Sequence, residues 1–347
     1  MSDRDRITVD GLDLPALERF FGERVPGFRG GLNADLLQGG RSNLTYLVTD
    51  GHTRWVLRRP PLGGLTPSAH DMQREYRVVA ALAGSDVPVA RAVAFGDAGD
   101  GLGVPFSVVE HIDGQVIRTR EQLHALPDAE IARCAYGLVD VLARLHAVDP
   151  GAVGLAGFGR PQGYLTRQVQ RWYDQWQRVR TREFADVERL YTRLAATCPA
   201  ESGASIVHGD YRIDNAILDV ADPAIVRAVV DWEMATLGDP LADLGLHLVY
   251  ADPTFSPVLS GSAASTSERL PARADLAQRY AQTSGRDLGE LGFYLALGYF
   301  KIAVIAEGIH ARFQQGLTRG TGFDTVGRAV APLTAAGLRA LTHLEPR

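Results

Sequence analysis

The sequence predicts an α+β fold with a small N-terminal antiparallel β lobe and a larger, mainly helical C-terminal lobe. Two observations support this prediction. Short strand-like segments separated by turn residues fill residues 33–112, and longer segments with helical spacing follow after about residue 115. A chain of 347 residues is long enough for a large domain or for two lobes that share a cleft. We expect the lobes to be residues 1–113 and 114–347.

The N-terminal lobe is predicted to be a strand-turn-strand pattern with one helix inserted. A Gly-Gly break and an Asp-Gly turn separate the first three strands, and a helical period follows, with a glycine just past its end. A further strand then runs into Asp113-Gly114. The predicted strands are 34–38, 44–49, 55–59 and 104–112, and the predicted helix is 71–82.

The C-terminal lobe begins with a long helical period over residues 128–147. Two apolar segments, 205–219 and 225–232, are interrupted by acidic residues and predict a hairpin with polar loops. Residues 256–267 are rich in Ser, Gly and Ala, which is typical of a mobile surface loop. Further helices are expected up to the C-terminus.

Composition narrows the class of protein. The net charge of -5 argues against nucleic acid or an anionic membrane as a partner, because both attract basic faces. Cys134 and Cys198 are too few for a disulfide framework, so we expect a cytoplasmic protein. The polar N-terminus predicts no signal peptide, and the apolar stretches look too interrupted to span a bilayer. Lys301 is the only lysine among 36 basic residues. The sequence predicts no particular oligomeric state.

The strongest motif is His208-Gly209-Asp210 with Asn215, followed by Asp231 at the end of an apolar segment. Phosphoryl transfer needs a carboxylate beside the attacking hydroxyl and oxygen ligands for magnesium. Asp210 would accept the hydroxyl proton, and Asn215 and Asp231 would bind the metal. Arg212 would neutralise charge on the transferring group. Taken alone, a His-Gly-Asp sequence is more often a turn, so the prediction depends on the combination.

These motifs resemble the catalytic loop of aminoglycoside and choline kinases, a branch of the protein-kinase-like two-lobed fold. Asp231-Trp232-Glu233 would replace the metal-binding Asp-Phe-Gly of protein kinases. The resemblance covers roughly residues 33–315. It implies ATP as phosphoryl donor, with GTP not excluded, Mg²⁺ as cofactor and a small-molecule hydroxyl as acceptor. The segments 56–61, 68–72 and 305–308 are similar to the kinase domain associated with some acyl-CoA dehydrogenases.

The resemblance also implies a nucleotide site in the N-terminal lobe. Gly40, Ser42 and Asn43 would cover the phosphates, although the same loop fits a plain hairpin. Arg58 stands where kinases of this fold place a lysine, and Glu75 would be its ion-pair partner. The hinge that contacts the nucleotide base would run from Glu110 to Ile112.

Other side chains have two interpretations. His208 is expected to brace the loop, and Asp243 to support it. Trp172 and Trp176 share a helix face and are either core aromatics or part of the acceptor pocket. The candidate pocket segments are 167–182 and 299–312, and Glu307, His310 and Arg312 there are either pocket groups or salt-bridged surface residues. The basic residues of the first segment are Arg167, Arg171, Arg178, Arg180 and Arg182. The apolar residues of the second are Tyr299, Phe300, Ile302 and Val304.

An apolar, locally basic pocket suits a hydroxyacyl group, free or as its coenzyme A thioester, better than a polycationic aminoglycoside. An aminoglycoside kinase that confers resistance is the main alternative, and a nucleotide-binding pseudokinase is the second. The presence of Asp210, Asn215 and Asp231 weakens the pseudokinase interpretation.

Overall fold

The computed structural model describes residues 11–37, 43–62, 71–259, 263–317 and 322–342. Among these residues the chain divides into two compact units. The first comprises the described part of Met1–Asp113 together with Ala228–Glu233, and the second comprises Gly114–Arg227 and Met234–Arg347. Residues 228–233 therefore pack with the first unit, although the sequence placed them in the second lobe. The predicted α+β class is confirmed.

The first unit contains an antiparallel sheet with the strand order β1-β2-β3-β5-β4. The pairs β1–β2, β2–β3 and β4–β5 join successive strands, whereas β3 pairs with β5. The register of β2 and β3 sets Leu44 opposite Arg59. Asp50 forms the connecting turn, because its carboxylate accepts the backbone N–H of His52 at 2.9 Å and of Thr53 at 2.7 Å. The strands are β1 (Asn33–Leu36), β2 (Leu44–Thr49), β3 (Arg54–Arg59), β4 (Ala92–Gly96) and β5 (Phe106–Glu110).

Two helices complete the first unit, α1 (Leu14–Arg24) and α2 (Met72–Leu82). Each has an aspartate N-cap, and Asp13 accepts the backbone N–H of Ala16 at 3.0 Å. The sequence predicted α2 but neither α1 nor β4. Helix α1 buries its apolar face in one core with the sheet. The largest side chains of this core are Phe20, Phe21, Tyr46, Trp55 and Phe106.

The second unit is mainly helical, as predicted. Its long helix α4 has the bounds that the sequence predicted, because apolar residues repeat along it with helical spacing. Helix α9 packs against α5, α7 and α10 and forms the centre of the unit. The helices are α3 (Arg120–His124), α4 (Asp128–Ala147), α5 (Tyr164–Val179), α6 (Ala185–Ala196), α7 (Pro240–Tyr250), α8 (Arg273–Ser284), α9 (Leu291–Gln314) and α10 (Val330–Thr342).

Helix α9 is long and apolar enough to cross a membrane by length and composition, which corrects the prediction that every apolar stretch is too interrupted. It is the one such helix in the described part of the chain, and 67% of its most apolar window is buried inside the protein. A core helix passes the same test, so the apolar sequence of α9 is weak evidence for a membrane.

Short strands carry the polar loops of the second unit. Strand β6 (Ser205–Val207) pairs with β9 (Thr236–Gly238), and β7 (Ala216–Leu218) pairs with β8 (Val226–Val229). The predicted hairpin between 205–219 and 225–232 is thus limited to β7 and β8, because β6 takes a different partner.

The prediction of a mobile surface loop over residues 256–267 is wrong for the described residues 263–267. These five residues are all buried, and Arg120 donates hydrogen bonds to Thr266 Oγ1 at 2.9 Å and to its carbonyl oxygen at 3.0 Å. Small residues allow this close packing, so the same composition that is typical of a loop also fits a tight turn against a helix.

Candidate active site

The loop with the His-Gly-Asp motif joins β6 to a short 3-10 helix, Ile213–Asn215. Gly209 has φ +82, and a Cβ atom there would lie 2.9 Å from the carbonyl oxygen of Met234. A glycine is therefore required at this position for two reasons, conformation and space. The next residue, Asp210, follows directly from this constrained turn.

Asp243, in the first turn of α7, fixes the backbone of this loop by hydrogen bonds. Its carboxylate accepts the backbone N–H of His208 at 2.6 Å and of Gly209 at 2.8 Å. Burial by itself would raise the pKa of Asp243, but the hydrogen bond from His146 and the backbone N–H of His208 outweigh it and lower the pKa. Asp243 thus stays ionised. The predicted supporting role of Asp243 agrees with this geometry, and the fully buried His208 ring packs edge-on against Tyr211.

The carboxylate of Asp210 is held at both oxygens. Tyr250 donates its hydroxyl to Oδ1, and Asn215 donates Nδ2 to Oδ2 at 3.1 Å. Arg212 Nε lies 3.5 Å from Oδ2 and its guanidinium also pairs with Asp214 at 3.0 Å. Burial raises the pKa of Tyr250 well above its usual value, so its hydroxyl remains a donor. The Asp210 carboxylate is therefore held in one orientation while its side chain stays 26% exposed.

Two residues of this loop environment were missed by the sequence analysis. Tyr250 ends α7, and Lys301 of α9 donates Nζ to the carbonyl oxygen of Gly209 at 2.7 Å. For Lys301, the only indication in the sequence was that it is the sole lysine. Tyr250 gave no signal, because an apolar helix ending in a tyrosine is common.

A second cluster lies within the first unit. Arg58 of β3 donates to Glu75 of α2 and, at 3.0 Å, to Oδ1 of Asp231. Asp231 follows β8 and belongs to the segment that packs with this unit. The pairing of Arg58 with Glu75 is as the resemblance implied, and the structure adds Asp231 as a second partner of the same guanidinium.

Burial and neighbouring charges both shift the pKa values of this cluster. Burial raises the pKa of Glu75, although the charge of Arg58 opposes the shift. For Arg58, burial would lower the pKa, but the charges of Glu75 and Asp231 raise it, so the guanidinium stays charged. A planar fork can serve two carboxylates at once, which a lysine could do less well. An arginine at position 58 can therefore bind Glu75 and Asp231 at the same time.

Asp231 and Asn215, the two residues predicted to bind magnesium, belong to different units, and each is described by itself. Asp231 has φ +68, the left-handed region that aspartate tolerates better than most residues. Its Oδ1 accepts from Arg58. The side-chain hydrogen bonds that Asn215 makes within the described part of the chain both use Nδ2 and both reach Asp210. A carboxylate and an amide oxygen are hard ligands of the kind that magnesium prefers.

The remaining predicted nucleotide residues are placed as follows. Gly40 and Ser42 lie outside the described residues, as do Ser68, Ala69 and His70 of the narrower resemblance. Asn43 is buried and donates Nδ2 to Glu233 at 3.2 Å.

The predicted hinge begins where β5 ends. Glu110 accepts the backbone N–H of Arg91 at 3.0 Å, so its side chain is engaged. The backbone of His111 continues the sheet by donating to Arg54 at 3.2 Å. Ile112 follows one residue further on, outside the strand.

The predicted acceptor segments are mostly structural. Trp176 is fully buried, and Arg167 donates to backbone carbonyl groups of the preceding loop. Glu307 is fully buried and accepts from Thr181 and Arg182. The prediction of a pocket lined by α9 is wrong for its apolar members, because these side chains lie in the core. They are Tyr299, Phe300, Ile302 and Val304.

Four basic residues near α5 remain exposed, and Trp172 is half-buried. The exposed residues are Arg171, Arg178, Arg180 and Arg182. Of the two interpretations of the tryptophan pair, the core interpretation holds for Trp176, whereas Trp172 retains accessible surface.

An antiparallel sheet with a buried Arg-Glu pair, and a helical unit whose loop joins Asp210 to Asn215, are typical of a kinase-like class of protein. The phosphotransferase enzyme family matches residues 34–293. The chain belongs to this family. The resemblance to aminoglycoside kinases inferred from the sequence is thereby confirmed at the level of the family.

Curated relatives include acyl-CoA dehydrogenase family members. Member 11 of Rattus norvegicus is 32% identical over 348 residues, which is 96% of this chain and 44% of the relative. Member 10 of Mus musculus is 34% identical over 281 residues, covering 80% of this chain and 26% of the relative. The chain thus spans less than half the length of these relatives. The narrower resemblance to the acyl-CoA-dehydrogenase-associated kinase domain is confirmed at this level.

Solved structures support the fold. A protein of Ralstonia eutropha JMP134, provisionally described as an aminoglycoside phosphotransferase, has a TM-score of 0.82 and 32% identity, covering 96% of this chain and 99% of its own. A thermostable mutant of aminoglycoside phosphotransferase APH(4)-Ia, in ternary complex with ADP and hygromycin B, has a TM-score of 0.61 and 17% identity, covering 93% and 99%. The predicted protein-kinase-like fold is confirmed.

Proposed function

We propose that this protein transfers the γ-phosphoryl group of ATP to the hydroxyl of a small hydroxyacyl compound, taken as the free acid or as its coenzyme A thioester. The observation that carries the proposal is the fixed carboxylate of Asp210, held at Oδ1 by Tyr250 and at Oδ2 by Asn215. A carboxylate fixed at both oxygens and still accessible suits a base that meets a hydroxyl.

The proposed step is an in-line displacement. The acceptor oxygen forms a bond to the γ-phosphorus, the bond from that phosphorus to the β,γ-bridging oxygen breaks, and ADP leaves. The hydroxyl proton passes to Asp210. Arg212 stands beside Asp210 and balances negative charge as it develops.

In the first unit, Arg58 is proposed to bind the nucleotide phosphates, with Glu75 fixing its orientation. The base is proposed to be bound through the backbone at Glu110–Ile112, and the phosphates to be covered by the loop containing Gly40, Ser42 and Asn43. Asp231 and Asn215 would hold magnesium, which supplies charge neutralisation of the phosphates when bound.

The choice of acceptor class follows from the charges around Asp210. Arg212 lies 3.5 Å from its carboxylate, and the Lys301 ammonium is bonded to the adjacent Gly209. A polycationic aminoglycoside would bring several ammonium groups to these two cations, whereas an anionic acceptor is attracted to them. The relationship to acyl-CoA dehydrogenase family members supports an acyl acceptor.

The experiment follows phosphate transfer by mass spectrometry, with ATP and magnesium, to a hydroxyacyl-CoA, its free acid and kanamycin. We expect transfer to an acyl compound. Asp210→Asn should reduce turnover about a hundredfold or more, with nucleotide affinity nearly unchanged. The matched control is Asp186→Asn, which removes an exposed carboxylate paired with Arg189 on α6 and should leave turnover unchanged.

Three results would contradict the proposal. Normal turnover by the Asp210 variant would remove Asp210 from the reaction. Transfer to kanamycin with none to the acyl compounds would instead restore the aminoglycoside kinase. Nucleotide binding without transfer to any hydroxyl would support a pseudokinase.

A further inference from the structure

We infer that Lys301, with the ring of Trp172 beside it, is the acceptor-selecting site, where the ammonium group binds an anionic oxygen of the acceptor and places its hydroxyl at Asp210. This inference rests on the proposed function, because it names the residue that selects the acceptor. It assigns a role to a side chain that the phosphoryl transfer itself does not require.

The position of Lys301 is the first argument. Nζ projects from α9 and donates to the carbonyl oxygen of Gly209 at 2.7 Å, one residue before Asp210. The same Nζ lies 5.5 Å from the ring centroid of Trp172 on α5. A cation over an indole face is stabilised without losing its charge. The ammonium is therefore anchored next to the catalytic carboxylate.

The donor capacity of Lys301 is the second argument. An ammonium group has three N–H donors. Gly209 accepts one, and the structure shows no further hydrogen bond from Nζ to the described residues. Lys301 and Trp172 are both half-buried, so neither residue is fully enclosed by the protein. Donor capacity thus remains for a ligand oxygen at this place.

The ammonium is largely removed from water and has charges of both signs around it. Burial lowers the pKa of Lys301, and the positive charge of Arg171 adds to this shift, whereas the negative charges of Asp210 and Asp243 oppose it. Coulomb attraction is stronger where water is partly excluded. An anionic oxygen that enters here gains more from Lys301 than it would from an exposed arginine of α5.

The choice of side chain is the third argument. Arginine supplies every other basic position of the chain, so a lysine here departs from the chain's own composition. An ammonium is a compact point charge, whereas a guanidinium is a wide planar fork. The space between the Gly209 carbonyl and the Trp172 ring holds the compact group. We therefore expect arginine to replace Lys301 only in part.

A merely structural role gives a different expectation. If Lys301 only braced the Gly209 carbonyl, its loss would disturb the loop and lower kcat alike for every acceptor. If it binds the acceptor, its loss raises KM, and only for anionic acceptors. The two roles therefore separate in a comparison of KM with kcat across acceptors of different charge.

The test uses the full chain and three acceptors that share one hydroxyl position. These are 4-hydroxybutanoate, its coenzyme A thioester and the neutral 4-hydroxybutanamide. Lys301→Gln keeps a hydrogen-bond donor and removes the charge. We expect it to raise KM about ten- to a hundredfold for the anionic acceptor that Lys301 binds, with a change of less than about threefold for the amide and for ATP. Lys301→Arg should restore part of the loss.

The control variant is Arg189→Gln, which removes an exposed charge from α6 and should leave every KM unchanged. An effect on the free acid shows that Lys301 binds a carboxylate, and an effect confined to the thioester shows that it binds a coenzyme A phosphate. An equal effect on all three acceptors, or no effect, overturns the inference.

A spectroscopic readout is independent of turnover. Labelling with ¹³Cε-lysine gives one signal, because Lys301 is the only lysine. We expect this signal to shift when 4-hydroxybutanoate or its thioester is added, and not with the amide. An unmoved signal in a chain that phosphorylates the acid overturns the inference alone. Transfer to kanamycin and to none of the three acceptors overturns the proposed acceptor class as well.

Discussion

The burial of the Arg58–Glu75 ion pair predicts how much stability the protein loses when Arg58 is replaced. The side chains of Arg58 and Glu75 are 16% and 7% exposed, so Arg58→Met leaves the Glu75 carboxylate buried without its main partner. Breaking a buried pair in this way costs about 3–5 kcal/mol. Asp231, the second partner, is 31% exposed and regains water, so we expect the lower limit of about 3 kcal/mol. At about 2–4 °C per kcal/mol, Tm should fall by about 6–12 °C.

The double variant tests the cause. Replacing both members of a buried pair by apolar residues is often neutral. Arg58→Met with Glu75→Leu should therefore recover most of the loss, with a coupling energy of about 2 kcal/mol or more. The matched control is Arg54→Met on the same strand, which breaks the exposed pair with Asp113 and should change stability by less than about 1 kcal/mol.

The pKa of Glu75 predicts how the stability loss caused by Arg58→Met changes with pH. Burial raises the pKa of Glu75 above its usual 4.5, and loss of Arg58 raises it further. A carboxyl with a raised pKa binds its proton more tightly when folded, so its destabilising effect is full above the folded pKa and is lost as the pH falls toward the usual value. The stability gap between Arg58→Met and the unsubstituted chain should therefore narrow on going from about pH 8 to about pH 5.

The assay is denaturant unfolding followed by fluorescence and circular dichroism at each pH. A loss below about 1 kcal/mol would refute the assignment of a buried, coupled pair. So would a gap that stays constant with pH, or a double variant as unstable as the sum of the single variants.

Two further predictions concern the site. Asp231→Asn removes the charge of the side chain but keeps a residue that tolerates the left-handed backbone. Calorimetry should then show an ADP affinity that no longer increases with magnesium. An unchanged increase would exclude Asp231 as a ligand. Tyr250→Phe removes the hydroxyl that orients Asp210, so kcat should fall about tenfold with the nucleotide KM unchanged, and steady-state kinetics with normal kcat would contradict the orienting role.

The sequence by itself determined the elements whose information is local. Helix α4 followed from a helical period within its own twenty residues, and the turn at Asp50 from the two residues that form it. The link between Asp210 and Asn215 is likewise local, because five residues separate them and one short 3-10 helix joins them. Such contacts depend on backbone geometry that neighbouring residues set.

Only the tertiary structure decided the contacts between distant segments. Tyr250 meets Asp210 across 40 residues, Lys301 meets Gly209 across 92, and Arg58 meets Asp231 across 173. Helix α9 is apolar on all sides, so its sequence could not tell a pocket wall from a core, and the packing of α5, α7 and α10 around it decided for the core. Periodicity reports which face of an element is apolar, whereas the partner of that face is set by how the whole chain packs.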